Sequence, residues 1–378
     1  MSLRSRPEYV ADILMSLGGI AATGVIAPQE VGLVNRIPLD KPLFGMLLEV
    51  RYRFAVGATA TGIMQAEGQQ NFIQRVRVVG THKRFGTREL VNLRGTTLFE
   101  LEKKYTFGNF MPVVQDTTAF PATGVATVAA TTYGNNFNLY IPFVPRGVPK
   151  LQQMLFLVRN DEWATFDVYV TFGDATAIAK FGAGQVVTFT DFASASGVPR
   201  ARLSVIRSIL GEARGLIQPA IFRRQFLPLT SILTSAAGTD TPLQDLDVGF
   251  KVCAYLVKTG TLETTVTGGV NSYASLSDAI ITRCKIKLDN VVIKDAISPL
   301  QARSYSASEH GAPLDTGYFP MEFLEGHDLN TAFRGDMLNR SNKLQLAGDV
   351  TAAANQSGEV VEEMIEGEPN VYQAAASS

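Results

Sequence analysis

Two stretches of this chain, 208 positions apart (281 minus 73), repeat one another, and their surroundings repeat in the same order. In Phe72-Ile73-Gln74-Arg75-Val76-Arg77-Val78-Val79-Gly80, apolar and polar side chains alternate, imperfectly at the start. That is the period of a strand with one face buried. Ile281-Thr282-Arg283-Cys284-Lys285-Ile286 restates the pattern. Upstream, each copy opens on a short predicted helix carrying Ile-Leu (Ile13-Leu14, Ile209-Leu210), followed by a proline (Pro28, Pro219) and a strand ending in Pro-Leu (Pro38-Leu39, Pro228-Leu229). A long strand follows, between Gly45 and Gly57 in one copy and between Gly249 and Gly260 in the other.

Downstream, a helical segment ends at Gly108 or Gly311, and Tyr140-Ile141-Pro142 is matched by Tyr318-Phe319-Pro320. Gly173-Asp174 then leads to Gly184-Gln185-Val186-Val187, as Gly348-Asp349 leads to Gly358-Glu359-Val360-Val361. The offset falls to 174 (358 minus 184), mainly because Gly108 to Tyr140 spans 32 positions and Gly311 to Tyr318 only seven. Drift in a loop with constancy inside strands is what a duplicated domain shows.

At 378 residues the chain is longer than one core usually serves. Strands are predicted over 31–39, 44–56, 72–80, 137–144, 151–158, 163–172, 185–192, 220–229, 248–258, 279–288, 318–324, 343–346 and 359–365. Helices are predicted over 7–17, 87–105 and 202–213 from apolar residues at helical spacing. The expected fold is all-β: two tandem eight-stranded antiparallel jelly-roll β-sandwiches, with short inserted helices and an N-terminal helix. An immunoglobulin-like pair is the competing topology, although its Cys…Trp…Cys spacing is missing. The expected division is an N-terminal helix and arm over 1–30, a first sandwich over 31–197, a linker helix over 198–218, a second sandwich over 219–366 and a loose tail over 367–378.

The chain carries few groups from which a chemical site could be built. Three histidines (His82, His310, His327) include no His-x-His pair, so a cupin-type metal centre lacks its core. His310 beside Glu309, and His327 beside Glu325 and Asp328, read as solvated loops. No phosphate-binding glycine loop or nucleophile elbow is present, and Glu362-Glu363 read as an exposed acidic strand. No cofactor, metal or catalytic residue is expected. Cys253 and Cys284 fall inside strands and read as free, small apolar side chains. A net charge of −1 excludes an overall basic nucleic-acid binder. The basic clusters Arg75, Arg77, Lys83, Arg84, Arg88 and Arg223-Arg224 lack interleaved aromatics, so they read as a strand face or subunit contacts. Residues 13–29 are uncharged, but Glu8 and Asp12 occupy the place of a signal's basic region, and the run is shorter than the ~20 residues of a spanning helix.

With the repeat, Asn71-Phe72-Ile73-Gln74-Arg75-Val76 and Leu139-Tyr140-Ile141-Pro142-Phe143-Val144 in view, the chain resembles the double jelly-roll major capsid proteins of tailless icosahedral viruses with an internal membrane, the tectivirus-like and adenovirus-hexon lineage. The resemblance runs over roughly residues 31–366. It implies a non-enzymatic coat protein of an icosahedral virus or bacteriophage, found in the virion and assembled in the host cytoplasm. It implies self-association into pseudo-hexagonal homotrimers and a shell around the genome. Minor capsid and vertex proteins, and internal membrane lipids, would be the other partners, with no specific nucleic-acid site. Residues 1–29 would lie at the capsomer base, residues 108–133 in a top loop, and Arg4, Arg6, Arg200, Arg202 and Arg207 at base or inter-capsomer contacts. The alternative is a two-domain carbohydrate-binding or adhesion module, which would need exposed aromatics on one sheet face, and the chain has one Trp, Trp163.

Overall fold

The computed structural model describes residues 4–14, 29–32, 37, 39–105, 114–115, 118, 120–145, 148–159, 162–173, 175–181, 187–190, 199–208, 220–229, 237–262, 273–295, 298–338, 342–351 and 355–367. Sixteen of its strands form two sets of eight. In the first half these are β1 (Arg4–Leu14), β2 (Gln29–Gly32), β3 (Leu43–Val56), β4 (Ile73–His82), β5 (Gly86–Leu93), β6 (Thr132–Pro142), β7 (Trp163–Phe172) and β8 (Arg200–Ser208). In the second they are β9 (Ile221–Pro228), β10 (Gly238–Asp245), β11 (Lys251–Leu262), β12 (Ile281–Leu288), β13 (Val291–Asp295), β14 (Tyr318–Glu322), β15 (Leu344–Val350) and β16 (Gln356–Glu366). Helix α1 (Gly95–Tyr105) lies between β5 and β6, and α2 (Pro299–His310) between β13 and β14.

The pairings repeat strand for strand. The first half pairs β1–β8–β3–β6 and β2–β7–β4–β5; the second pairs β9–β16–β11–β14 and β10–β15–β12–β13. Adding eight to each strand number of the first half gives the second. Two four-stranded sheets, with the chain crossing between them, are the jelly roll, and this order displaces the immunoglobulin alternative. Each roll has its own core. In the first, Met46, Leu48, Val50 and Tyr52 of β3 face Val76 and Val78 of β4 and Val168 and Val170 of β7. In the second, Val252, Tyr255 and Val257 face Ile281, Cys284 and Ile286. Alternating burial along β3 and β4 puts one side chain in two into these cores. A third apolar cluster, with Phe44, Tyr140 and Phe156 from the first half and Phe222, Cys253 and Ile365 from the second, fills the space between the rolls.

Four expectations are corrected. The N-terminal helix is strand β1, antiparallel to β8; its register shifts between Tyr9 and Ala11, so its apolar residues lose period 2 and mimic a helical stripe. The linker helix is strand β8, in which Ala201, Leu203 and Val205 alternate inward and Ile206, next in the alternation, is buried on the other face in the cluster between the rolls. The strand expected over 151–158 is a short helix, Lys150–Gln153, running into a 3₁₀ turn, Met154–Phe156. The helix expected over 87–105 is strand β5 followed by α1, so Leu90 and Leu93 belong to a sheet. Residues 15–28, 191–198, 209–219 and 368–378, which hold most of the expected arm, linker and tail, lie outside the described residues.

Candidate functional site, the seam between the two sandwiches

The two rolls share a sheet. Strand β9, which opens the second roll, runs parallel to β5, the last strand of the second sheet of the first roll, with Arg224 opposite Val91 and Gln225 opposite Asn92. Along this joint the acidic strand β16 meets the basic residues of both halves. The reading of Glu362-Glu363 as exposed is therefore overturned: Glu359, Glu362 and Glu363 are all buried. Isolated charges do not survive burial, and each of these finds a partner. Arg94 Nε donates to Glu359 Oε2 at 2.5 Å, and Thr97 Oγ1 to Glu359 Oε1 at 2.9 Å. Arg224 Nη2 lies 2.5 Å from Glu363 Oε1. Arg88 Nε donates to Glu366 at 2.9 Å, and Arg223 Nε to the Glu89 carbonyl at 3.1 Å. Gln225 Nε2 donates to Glu362 Oε2 at 2.9 Å.

A second tier joins α1 to the second roll. Lys258 Nζ donates to Glu67 Oε2 at 2.5 Å and to Thr96 Oγ1 at 3.0 Å, and Tyr318 donates its hydroxyl to Glu67 Oε1. Lys104 Nζ sits 3.1 Å from Glu322 Oε1, and His310 Nε2 sits 2.7 Å from Glu322 Oε2. Lys103 pairs with Asp315, whose backbone N–H donates to Glu100 Oε2 at 3.3 Å. A cavity of about 490 Å³ opens beside Glu67, Glu100 and Asp315.

The environment divides these carboxylates. Burial works against ionised Glu359 and Glu322, but Arg94 and Lys258 beside the first, and Lys104 and His310 beside the second, outweigh it and hold both below the ordinary carboxylate range. Burial, reinforced by the charge of Asp315, pushes Glu100 up to about 8. Burial pushes Glu362 up to about 7 against the Gln225 hydrogen bond. The arrangement binds two domains face to face; Ser306, which shares Glu322 with His310, donates its hydroxyl to that carboxylate at 2.9 Å.

Arg75 Nε donates to Asn92 at 2.6 Å and Arg77 Nε to Glu89 at 2.8 Å, tying β4 to β5; Arg283 in the second roll reaches Asp295 of β13 in the same way. Arg200 reaches Asp12 at 3.1 Å, Arg202 lies over the Tyr9 ring at 4.8 Å, and Arg207 lies 2.5 Å from Glu8 and 2.8 Å from Asp40. These three thus stitch β8 to β1 and to the chain before β3. Arg4 and Arg6 belong to β1, and their side chains lie outside the described residues. His310 is on a helix rather than in a loop, and the His327 side chain lies outside the described residues. Among the described residues, no group of three His, Cys, Asp or Glu could hold a metal ion. Trp163, which sugar binding would need exposed, is buried against His82 and Phe166. Cys253 and Cys284 are free and buried. Among the described residues, no helix is long and apolar enough to cross a membrane. Sequence reasoning missed the seam, whose one local signal is a run of glutamates inside a strand that is otherwise apolar.

Strand order, inserted helices and shared sheet together define a double jelly roll. No family model matches the chain, and no curated protein matches it by sequence. Among solved structures it is similar to the STIV MCP in its crystal structure, with a TM-score of 0.61 and 13% identity over 98% of this chain and 100% of that one. It is similar to a chain in the atomic structure of Sulfolobus Turreted Icosahedral Virus, at TM-score 0.61 and 13% identity over 94% of this chain and 91% of that one. It is also similar to the Faustovirus major capsid protein, at TM-score 0.50 and 9% identity over 97% of this chain and 92% of that one. At such identities the likeness is one of fold, and it runs the length of the chain.

Proposed function

We propose that the chain is the major coat protein of an icosahedral virus or bacteriophage, a non-enzymatic building block. It self-assembles as pseudo-hexagonal homotrimers into the shell around the genome and an internal membrane. One observation carries this reading: two jelly rolls of identical strand order are locked side by side by a continuous sheet and a buried ion-pair seam. Such a unit offers broad sheet flanks for large homomeric interfaces, and it presents its neighbours with two near-copies of one surface. The similarity in fold to the STIV MCP and the Faustovirus major capsid protein over almost the whole chain supports it. In this reading the protein resides in the virion after assembly in the host cytoplasm. Its further partners are minor capsid and vertex proteins and membrane lipids, and Arg4, Arg6, Arg200, Arg202 and Arg207 border the capsomer base. The test is the native mass of the purified protein, with negative-stain imaging. A trimer of hexagonal outline is expected; a monodisperse monomer that never assembles refutes the reading.

A further inference from the structure

Leu314 comes from the second half of the chain, yet it is buried in the apolar cluster of the first. It lies in a short segment that runs from Gly311, which caps α2, to Gly317, just before β14. Both glycines take the left-handed backbone, with φ of 78° and 87°, so the segment turns at each end. Its ends belong to the second roll. The Gly311 N–H donates to the Ala307 carbonyl at 2.7 Å, and the Gly317 N–H donates to Asp278 Oδ1 at 2.7 Å. Its middle reaches across to α1 of the first roll. There the Asp315 N–H donates to Glu100 Oε2 at 3.3 Å, and Lys103 Nζ donates to Asp315 Oδ1 at 2.5 Å.

The two carboxyl groups at this contact are unequal. Glu100 is 2% exposed, whereas the Asp315 side chain is 59% exposed and can turn to water. Lys103 must serve both, since its Nζ also lies 3.9 Å from Glu100 Oε1. The groups on the neighbouring elements are committed elsewhere. Glu67, before β4, adds negative charge towards Glu100, and it holds Lys258 of β11 and the Tyr318 hydroxyl of β14. Arg303 of α2 acts on Asp315 from a distance and is held by Asp278. Glu359 of β16 holds Arg94. An ionised Glu100 therefore sets a buried charge against Asp315 and Glu67, and like charges in one site repel. The cavity of about 490 Å³ runs beside them, with Ala66, Glu67 and Gln70 from one half and Ser275, Leu276 and Thr316 from the other. It leaves the segment room to move and gives water a way to Glu100.

We propose that residues 311–317 form a pH-released clasp between the two rolls, closed on α1 while Glu100 carries its proton and lifted from it, with Asp315 turning to water, when Glu100 ionises. Burial and the charge of Asp315 hold the Glu100 proton to about pH 8, so release comes in mild alkali and reverses at neutral pH. The clasp is a property of the single chain and stands or falls apart from the coat-protein reading. Within that reading, it gives each building block a reversible alkaline switch at its internal joint.

The test is amide hydrogen exchange of the full-length protein at pH 6 and pH 9, read by mass spectrometry, with Glu100→Gln as the reference. Both proteins have the same sequence over 311–317, so the intrinsic pH dependence of exchange cancels in their ratio. For peptides covering this segment, the ratio of wild-type to variant exchange rates is expected to rise at least about tenfold between the two pH values. Peptides from β11 and β16 are expected to keep their ratios. An unchanged ratio over 311–317 overturns the proposal. An equal rise in β11 and β16 also overturns it, because the whole joint then opens rather than the clasp. Asp315→Asn removes the charge that Glu100 would face, and the same rise is expected when wild type is compared with it. Absence of that rise overturns the proposal even where Glu100→Gln does not fold.

Discussion

At the scale of residues, the seam makes stability depend on pH from two sides. Folded Glu100 keeps its proton up to about pH 8, against an ordinary value of 4.5. Between those values the folded chain holds a proton that the unfolded chain has lost, so the favourable contribution is full at low pH and fades as pH rises through 8. Glu362 acts the same way up to about 7. Glu359 and Glu322 act oppositely: their carboxyls are held down, and the stability they supply is lost as pH falls below the ordinary carboxylate range. Glu100→Gln is therefore expected to leave the melting temperature at pH 5 nearly unchanged and to raise it by several degrees over wild type at pH 9. Equal shifts at both pH values in thermal unfolding would show that Glu100 is ionised throughout. The Arg224–Glu363 pair gives a second expectation. Arg224→Met alone strands a buried carboxylate and is expected to cost about 3–5 kcal/mol, whereas Arg224→Met with Glu363→Leu returns close to wild type. Denaturant midpoints of the two variants measure the difference. None of these pairs was legible from sequence neighbours, because Arg94 and Glu359 stand 265 positions apart. The glutamates of β16 read as solvated until the arginines and lysines facing them are known.

At the scale of elements, alternation identified the strands wherever burial kept period 2, as in β3 and β7. It failed where a bulge intervened. In β1 the shift between Tyr9 and Ala11 brings Val10, Ile13 and Leu14 to helical spacing, while the fold buries Ile13 and exposes Leu14. In β8 the inward run Ala201, Leu203, Val205 was the available signal, and Ile206 beyond it imitated a helix. Gly95, which lies within the helix expected over 87–105, is the first residue of α1. A Cβ there would stand 2.3 Å from the Ile73 carbonyl oxygen, so the close approach of α1 to β4 demands glycine. Gly95→Ala is expected to destabilise by about 1–3 kcal/mol through overpacking. An unchanged midpoint in chemical denaturation would show that α1 can move away at no cost.

At the scale of the whole molecule, the duplication was legible in the central strands, where β3 and β4 are restated by β11 and β12, but its outer matches do not hold: β1, which carries Ile13-Leu14, corresponds to β9 rather than to the segment with Ile209-Leu210, and β16, which carries Val360-Val361, corresponds to β8 rather than to the strand after Gly184. The placement of one roll against the other was not legible, since it depends on contacts between halves rather than on patterns within either. The seam carries buried charge that neither roll could leave unpaired, so both are expected to unfold in one transition, with calorimetric and van't Hoff enthalpies in agreement. Arg94→Ala with Lys258→Ala, which removes cations from both tiers, is expected to split that transition in two. A single unbroken transition in the double variant would show that the apolar contacts between the rolls suffice. A cryo-electron-microscopy reconstruction of the assembled shell tests the coat-protein role most directly. Capsomers of three chains, with six upright jelly rolls around each centre, are expected. Capsomers built from another number of chains, or rolls lying flat in the shell, would contradict that role.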